Sequence, residues 1–369
     1  MPGVAKPSTV FTIVQGHDDN RQPIFSVLAK RTYDLHFNGR VEPTERASFV
    51  RADEYYDDGD PEWATVKHET DLAPFKLATD VVVIGSAYAP NNKPVPSIDV
   101  AVEVSTQRKV LRVTGDRRCR YRPGSSPAFS DPILFTKMPI HYERAYGGRD
   151  TRSNPEEPFF YPRNHSGLGV VLKNRKETVE GLRLPNIEDP QDLLTPDRIL
   201  IEKPDRWSGQ PLPDGLGWFH RNWYPRCSFT GAFPAYVDVD TVLREETLDL
   251  VPKRQIGLAR QFKLPSFDVR FNNGASRGLT FPYLKGNETF RLTNLTPTVS
   301  LVFKLPGETP GMTLDIGSGE NELQPVLHTV CIRLEEMQVD MIWRGAHPYQ
   351  GWDWLPEMKR LAAEVVWKA

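Results

Sequence analysis

Alternation of apolar and polar residues marks most of the readable segments of the chain. Val10 to Val14 reads Val-Phe-Thr-Ile-Val, and Ile24 to Leu35 starts apolar and alternates through its second half. Ile98 to Val104 (Ile-Asp-Val-Ala-Val-Glu-Val) alternates throughout, and Asp80 to Tyr88 and Lys109 to Val113 belong to the same set. A period of two sends successive side chains to opposite faces, so these segments predict antiparallel strands with one buried face. Asn38-Gly39 has the residues of a type I′ hairpin, and Pro90-Asn91-Asn92 those of a further turn. Strand patterns return at Glu288 to Leu295, Val299 to Leu305, Val326 to Glu335 and Gln338 to Trp343.

Helical signals are confined to two places. Thr241 to Leu250 follows an N-cap residue, Asp240, and stops before Pro252. From Leu355, the residues Met358, Leu361, Ala362 and Val365 recur at i, i+3, i+4 and i+7, with Pro356 in the first turn. Strands without alternating helices predict a mainly β, β-rich α+β protein of packed antiparallel sheets, long proline-rich ordered loops and a short C-terminal helix. The expected organisation is one compact unit over residues 1–369. It comprises an N-terminal β region to 149, an irregular region over 150–230, and a region from 231 with a helix, further strands and the terminal helix.

Composition sharpens this picture in three ways. Proline, at 33 residues in 369, is nearly twice its usual share of about 5%. Ten of those prolines lie between Asp150 and Arg226 among Trp, Tyr, Phe, Asn and Arg, which rules out central strands or a long helix there. The net charge of −2 argues against a general attraction to nucleic acid or anionic membrane. Cys119, Cys227 and Cys331 are sparse and odd in number, which argues against a disulfide framework or a structural zinc site. With no signal-peptide pattern at the N-terminus and no apolar run near 18 residues, the expected location is the cytosol.

Candidate chemistry is thin. Gly274-Ala275-Ser276-Arg277-Gly278 matches G-x-S-x-G, and Asp315 or Asp340 with His328 or His347 would complete the order Ser, Asp, His. Pro282, however, stands where the helix after the serine should run. Asp57-Asp58-Gly59-Asp60 with Glu62 lacks calcium-loop spacing and reads as a solvated acidic turn. No phosphate-binding glycine loop is present, and neither a cofactor nor a resident metal is expected. A carboxylate pair acting on glycan stays open, since spacing along the chain does not reveal spacing in the fold. The segment from Trp218 to Arg226, with His220, Arg221 and Trp223, is either a stacking platform or a loop that packs its rings inside.

Eight segments in order carry a family resemblance. They are Leu28-Ala-Lys-Arg-Thr-Tyr-Asp-Leu35, Ala52-Asp-Glu-Tyr55, His68-Glu-Thr-Asp-Leu-Ala-Pro-Phe-Lys76 with Thr79-Asp-Val81, and Met138-Pro-Ile-His-Tyr-Glu-Arg-Ala-Tyr-Gly-Gly148. Pro162-Arg-Asn164, Leu184-Pro-Asn-Ile-Glu-Asp-Pro190, Trp223-Tyr-Pro-Arg226 and Phe267-Asp-Val-Arg-Phe271 complete the set. Over about Ile24 to Gly307 the chain resembles domain-of-unknown-function family 2169, associated with bacterial type VI secretion.

The resemblance implies a cytoplasmic, non-enzymatic adaptor or chaperone of bacteria, whose partners are a secreted effector and a spike or PAAR-type tip protein. It implies no catalytic residue, and the charge balance and missing motifs add the expectation of no cofactor, nucleic acid or membrane. On this reading Trp218, His220, Arg221, Trp223 and Arg226 form or support the partner-binding face. Glu143, Arg144, Arg163, Asp268 and Arg270 either join it or make buried ion pairs that hold the loops in register. The competing readings are a hydrolase, using Ser276 or a carboxylate pair on cell-wall glycan, and a structural component of the secretion assembly.

Overall fold

In chain order the principal strands are Val10–His17 (β1), Pro23–Leu35 (β2), Thr79–Ile84 (β3), Ser97–Val104 (β4), Gln107–Thr114 (β5) and Thr289–Thr293 (β6). They continue with Ser300–Lys304 (β7), Thr309–Asp315 (β8), Glu320–Leu323 (β9), Val326–Arg333 (β10), Gln338–Pro348 (β11) and Ala362–Lys368 (β12). The computed structural model describes residues 9–44, 47–57, 59–61, 63–173, 179–230, 267–317, 319–349 and 361–368.

A seven-stranded sheet runs β1-β2-β11-β10-β3 and ends on Thr280–Phe281, with Val41–Pro43 beside the end of β2. A five-stranded sheet runs from Ile187–Glu188 through β5, β4 and β6 to β7, and a third sheet runs β9-β8-β12. The alternation read from the sequence makes the core. Phe25, Val27 and Ala29 of β2, Val330 and Ile332 of β10, and Met341 and Trp343 of β11 share one cluster with Val100, Val102, Leu111, Leu292 and Phe303 of the five-stranded sheet. The proline-rich region packs a cluster of its own, around Tyr146, Tyr161, Val171, Leu184, Ile199, Ile201 and Trp207. Its aromatic content is thus spent on a core rather than on a surface.

The other face of the large sheet is also buried, and there β2 and its neighbours carry polar residues. A loop running from Val50 to Lys76 is pinned across it. Ser26 donates to Pro74 O at 2.7 Å, and Lys30 reaches Asp71 at 2.9 Å and Asp340 at 3.4 Å. Lys76 donates to Asp80 at 2.8 Å and to Thr329 at 2.9 Å. Burial alone would push the Asp340 carboxyl up, but Lys30 and Arg333 beside it hold it below the usual carboxylate range. Lys30 with Asp71 and Lys76 with Asp80 join sheet to loop, and removing one partner strands a buried charge.

Three sequence expectations are corrected. Ala362 and Val365, read as part of a C-terminal helix, lie in strand β12, which pairs antiparallel with β8. The large sheet is mixed, because β3 and β10 run parallel, with Val81 opposite Val330. At the Asn38-Gly39 turn only Gly39 takes a positive φ, +83°, whereas a type I′ turn needs two such residues. The helix expected over Thr241 to Leu250 lies outside the described residues.

Candidate functional site

The loop from Trp218 to Arg226 is built inward. Trp223 is fully buried, edge-on to Tyr142 at 5.3 Å and Phe219 at 5.5 Å, and stacked on His220 at 5.3 Å. Trp218 is 4% exposed and packs with Val66, Val82, Ile84 and Cys331 on the outer face of the large sheet. The Asn222 N–H donates to His220 Nδ1 at 3.0 Å, which leaves Nε2 as the donor to Pro61 O, also at 3.0 Å. Arg226 is buried and forks onto Glu69 at 2.9 and 2.5 Å, with further bonds to Phe219 O and Phe271 O, both 2.7 Å. Arg221 shares the same carboxylate at 2.6 Å and adds Asp53 at 2.9 Å. Trp218, His220, Trp223 and Arg226 are thus buried and hold the loop from within, and Arg221 alone of the five is partly exposed.

The second set is more open than buried ion pairs would be. Asp268 and Arg270 pair with each other at 2.7 Å on the surface, and that contact holds the Asp268 carboxyl below its usual range. Arg163 donates to Tyr161 Oη and Ser208 O, both at 3.2 Å, with its guanidinium 4.8 Å from the centroid of the Trp207 ring. Arg144 reaches Asn186 at 3.1 Å and Asp116 at 3.5 Å. Glu143 lies 3.5 Å from His141 Nδ1, and burial, then the charge of Asp57, pushes its carboxyl up. Asp57, Glu143, His141 and His165 line a polar cavity of about 520 Å³. Besides Arg226 with Glu69, buried pairs form outside both candidate sets, such as Lys109 with Asp214 at 2.5 Å and Arg117 with Glu188 at 2.7 Å.

Ser276 lacks the geometry of a nucleophile elbow. It is fully buried; its hydroxyl donates to Gly217 O at 2.7 Å and accepts from Tyr142 Oη at 2.8 Å. The segment after it enters the short strand Thr280–Phe281 rather than a helix. Asp340 is committed to Lys30 and Arg333, Asp315 accepts the N–H groups of Gly317 and Gly319, and neither ring nitrogen of buried His328 has a hydrogen-bond partner. His347 lies in β11, opposite Phe25.

What the structure does bring together is a groove of about 250 Å³. Leu212, Pro213, Phe219, Tyr224, Phe229 and Ala275 supply apolar surface, and Arg163, Arg270 and Arg277 also line it. In the sequence Arg277 carries no signal of its own, because the G-x-S-x-G motif around it points to the serine. Its guanidinium is fixed by Asp189 at 2.7 Å and Asp214 at 3.5 Å, while Arg270 lies 4.3 Å from the centroid of the Phe229 ring. The groove is thus an apolar slot bordered by arginines already held in place. At this volume it takes a large side chain or two, below the usual range of about 300–1,000 Å³ for small-molecule sites.

Fold and groove together define a β-rich protein whose polar chemistry lies in loops clamped to its sheets. The chain belongs to the family described as an uncharacterized protein conserved in bacteria (DUF2169), whose profile matches residues 20–344. The match runs past Gly307 and ends within β11. No curated protein and no solved structure matches the chain. Among the described residues, no helix is long and apolar enough to cross a membrane.

Proposed function

We propose that this protein is a non-enzymatic adaptor or chaperone that binds a type VI secretion effector and helps load it onto the spike or its PAAR-type tip. The observation that carries this reading is the small apolar groove with its pre-positioned arginines, a shape suited to anchoring side chains of another protein. The ion pairs beneath it hold the loop rigid, which lowers the entropy lost on docking. Family membership supports the reading through the resemblance carried by the eight segments.

Co-expression with the proteins encoded beside it, followed by size exclusion, tests this directly. The expected result is a stoichiometric complex with an effector or tip protein. Leu212→Asp and Phe229→Asp should each weaken it by about tenfold or more without lowering the melting temperature. A complex untouched by both variants would move the binding site away from the groove. Many copies per assembly would favour a structural component. Absence of any complex, together with glycan turnover lost in Glu143→Gln, would replace the adaptor with a hydrolase.

A further inference from the structure

A further cavity, of about 650 Å³, shares no lining residue with the groove. One wall is a short extended segment, in which Cys119 pairs with Phe129 and Arg120 with Ala128. Alternation along it turns Cys119 and Tyr121 inward and leaves Arg118, Arg120 and Arg122 exposed on one face. On the other side Arg118 forms a bridge with Arg183, which is exposed as well.

Four guanidinium groups are therefore gathered on one small surface. Arg118 gives one N–H to Gly181 O at 3.0 Å, and no ion pair among the described residues engages Arg120, Arg122 or Arg183. Of the three acidic residues that line the cavity, Glu180 accepts the Tyr121 N–H, Asp116 accepts from Asn186 at 3.0 Å, and Asp131 is exposed, so the four arginines still outnumber the acids.

The same cavity is bordered by Ile133, which is 67% exposed, and the next residue, Leu134, is 59% exposed. They are the most exposed large apolar side chains among the described residues. Their placement is built in. A side chain on Gly115 would collide with Ile133 O, so the absence of a Cβ lets the segment lie flat on the strand end, where the Ile133 N–H donates to Asp116 O at 3.0 Å.

Crowded like charges and exposed aliphatic side chains are both costly in water, and one ligand relieves both. We propose that the Arg118–Arg120–Arg122–Arg183 face and the Ile133–Leu134 ledge form a docking surface for an acidic segment of a partner protein that also carries apolar side chains. Guanidinium forks match carboxylates, and arginine beside aliphatic surface is the composition of a protein interface. Nucleic acid and free phosphate would use the charges but leave the ledge in water. This surface is separate from the groove and needs no role in secretion.

Fluorescence anisotropy on the full chain tests it, with a fluorescein-labelled peptide of Glu, Leu and Ser as probe. The comparators are the same peptide without Leu and a labelled DNA duplex. The Leu-containing peptide is expected to bind, more weakly as salt rises, and to lose about tenfold or more in affinity in R120E/R122E and separately in I133S/L134S. R120Q/R122Q serves the same purpose if charge reversal unfolds the protein, and it should keep the parent melting temperature. Three results would overturn the proposal: no binding of the Leu-containing peptide, equal binding of the comparators with I133S/L134S unchanged, or a lower melting temperature in R120Q/R122Q.

Discussion

Gly274 has no room for a methyl group. A Cβ there would strike the Glu69 carboxylate and the Arg226 guanidinium, the pair that anchors the loop beneath the groove. Its own N–H donates to Asp80 at 2.9 Å and its carbonyl accepts from Phe219 at 2.7 Å, so it cannot retreat without breaking a second buried network. Gly274→Ala should cost about 1–3 kcal/mol, as small overpacked side chains do. The effect would be read as a lower urea midpoint at constant m-value, and an unchanged midpoint would refute the packing argument. The G-x-S-x-G spacing made this segment conspicuous in the sequence for the wrong residue. Ser276 carries no exposed chemistry, while the first glycine lets two ion-pair networks approach each other.

At the scale of elements, strands with clean alternation were legible and those broken by special residues were not. Strand β8 begins Thr309-Pro310-Gly311, which hides the period, yet Pro310, Met312 and Leu314 are its buried positions. Strand β12 is ambiguous on its own terms. Leu361 and Val365 fit a helical spacing, but Leu361, Ala363, Val365 and Trp367 also alternate, and these four pack against the core. Seven residues cannot choose between periods locally; the open edge of β8 chooses for them. Trp367 lies beneath the Arg31 guanidinium at 4.2 Å, which ties β12 to β2 as well. Trp367→Ala should cost about 2 kcal/mol. Removing residues 362–369 should cost more and raise dye binding to newly exposed apolar surface. Equal thermal stability of the truncated chain would show that β12 contributes nothing to the fold.

At the scale of the whole molecule, the partners of the charged motif residues were hidden because they lie far apart in sequence. Lys30 meets Asp340, and Glu69 meets Arg226, only once the sheet and its covering loop are assembled. The same burial makes stability depend on pH. Burial, reinforced by nearby arginine and lysine, pushes His68 and His141 down to about 4 and His328 well below its usual range. A histidine with a lowered folded pKa leaves the unfolded chain binding more protons as pH falls below about 6.5. Each such group therefore removes up to about 1.4 kcal/mol of stability per pH unit between about 6.5 and its folded pKa. Asp53, Asp71, Glu143 and Glu188, raised by burial, act in the opposite sense, because the folded state takes up their protons first. His328→Leu isolates one histidine from this sum. Both ring nitrogens of His328 lack partners, so at pH 7.5 the variant should be as stable as the parent or more so. Its advantage should then widen steadily from pH 6.5 to pH 5, measured by urea unfolding at each pH. A constant difference across that range would mean that His328 does not stay neutral in the folded protein.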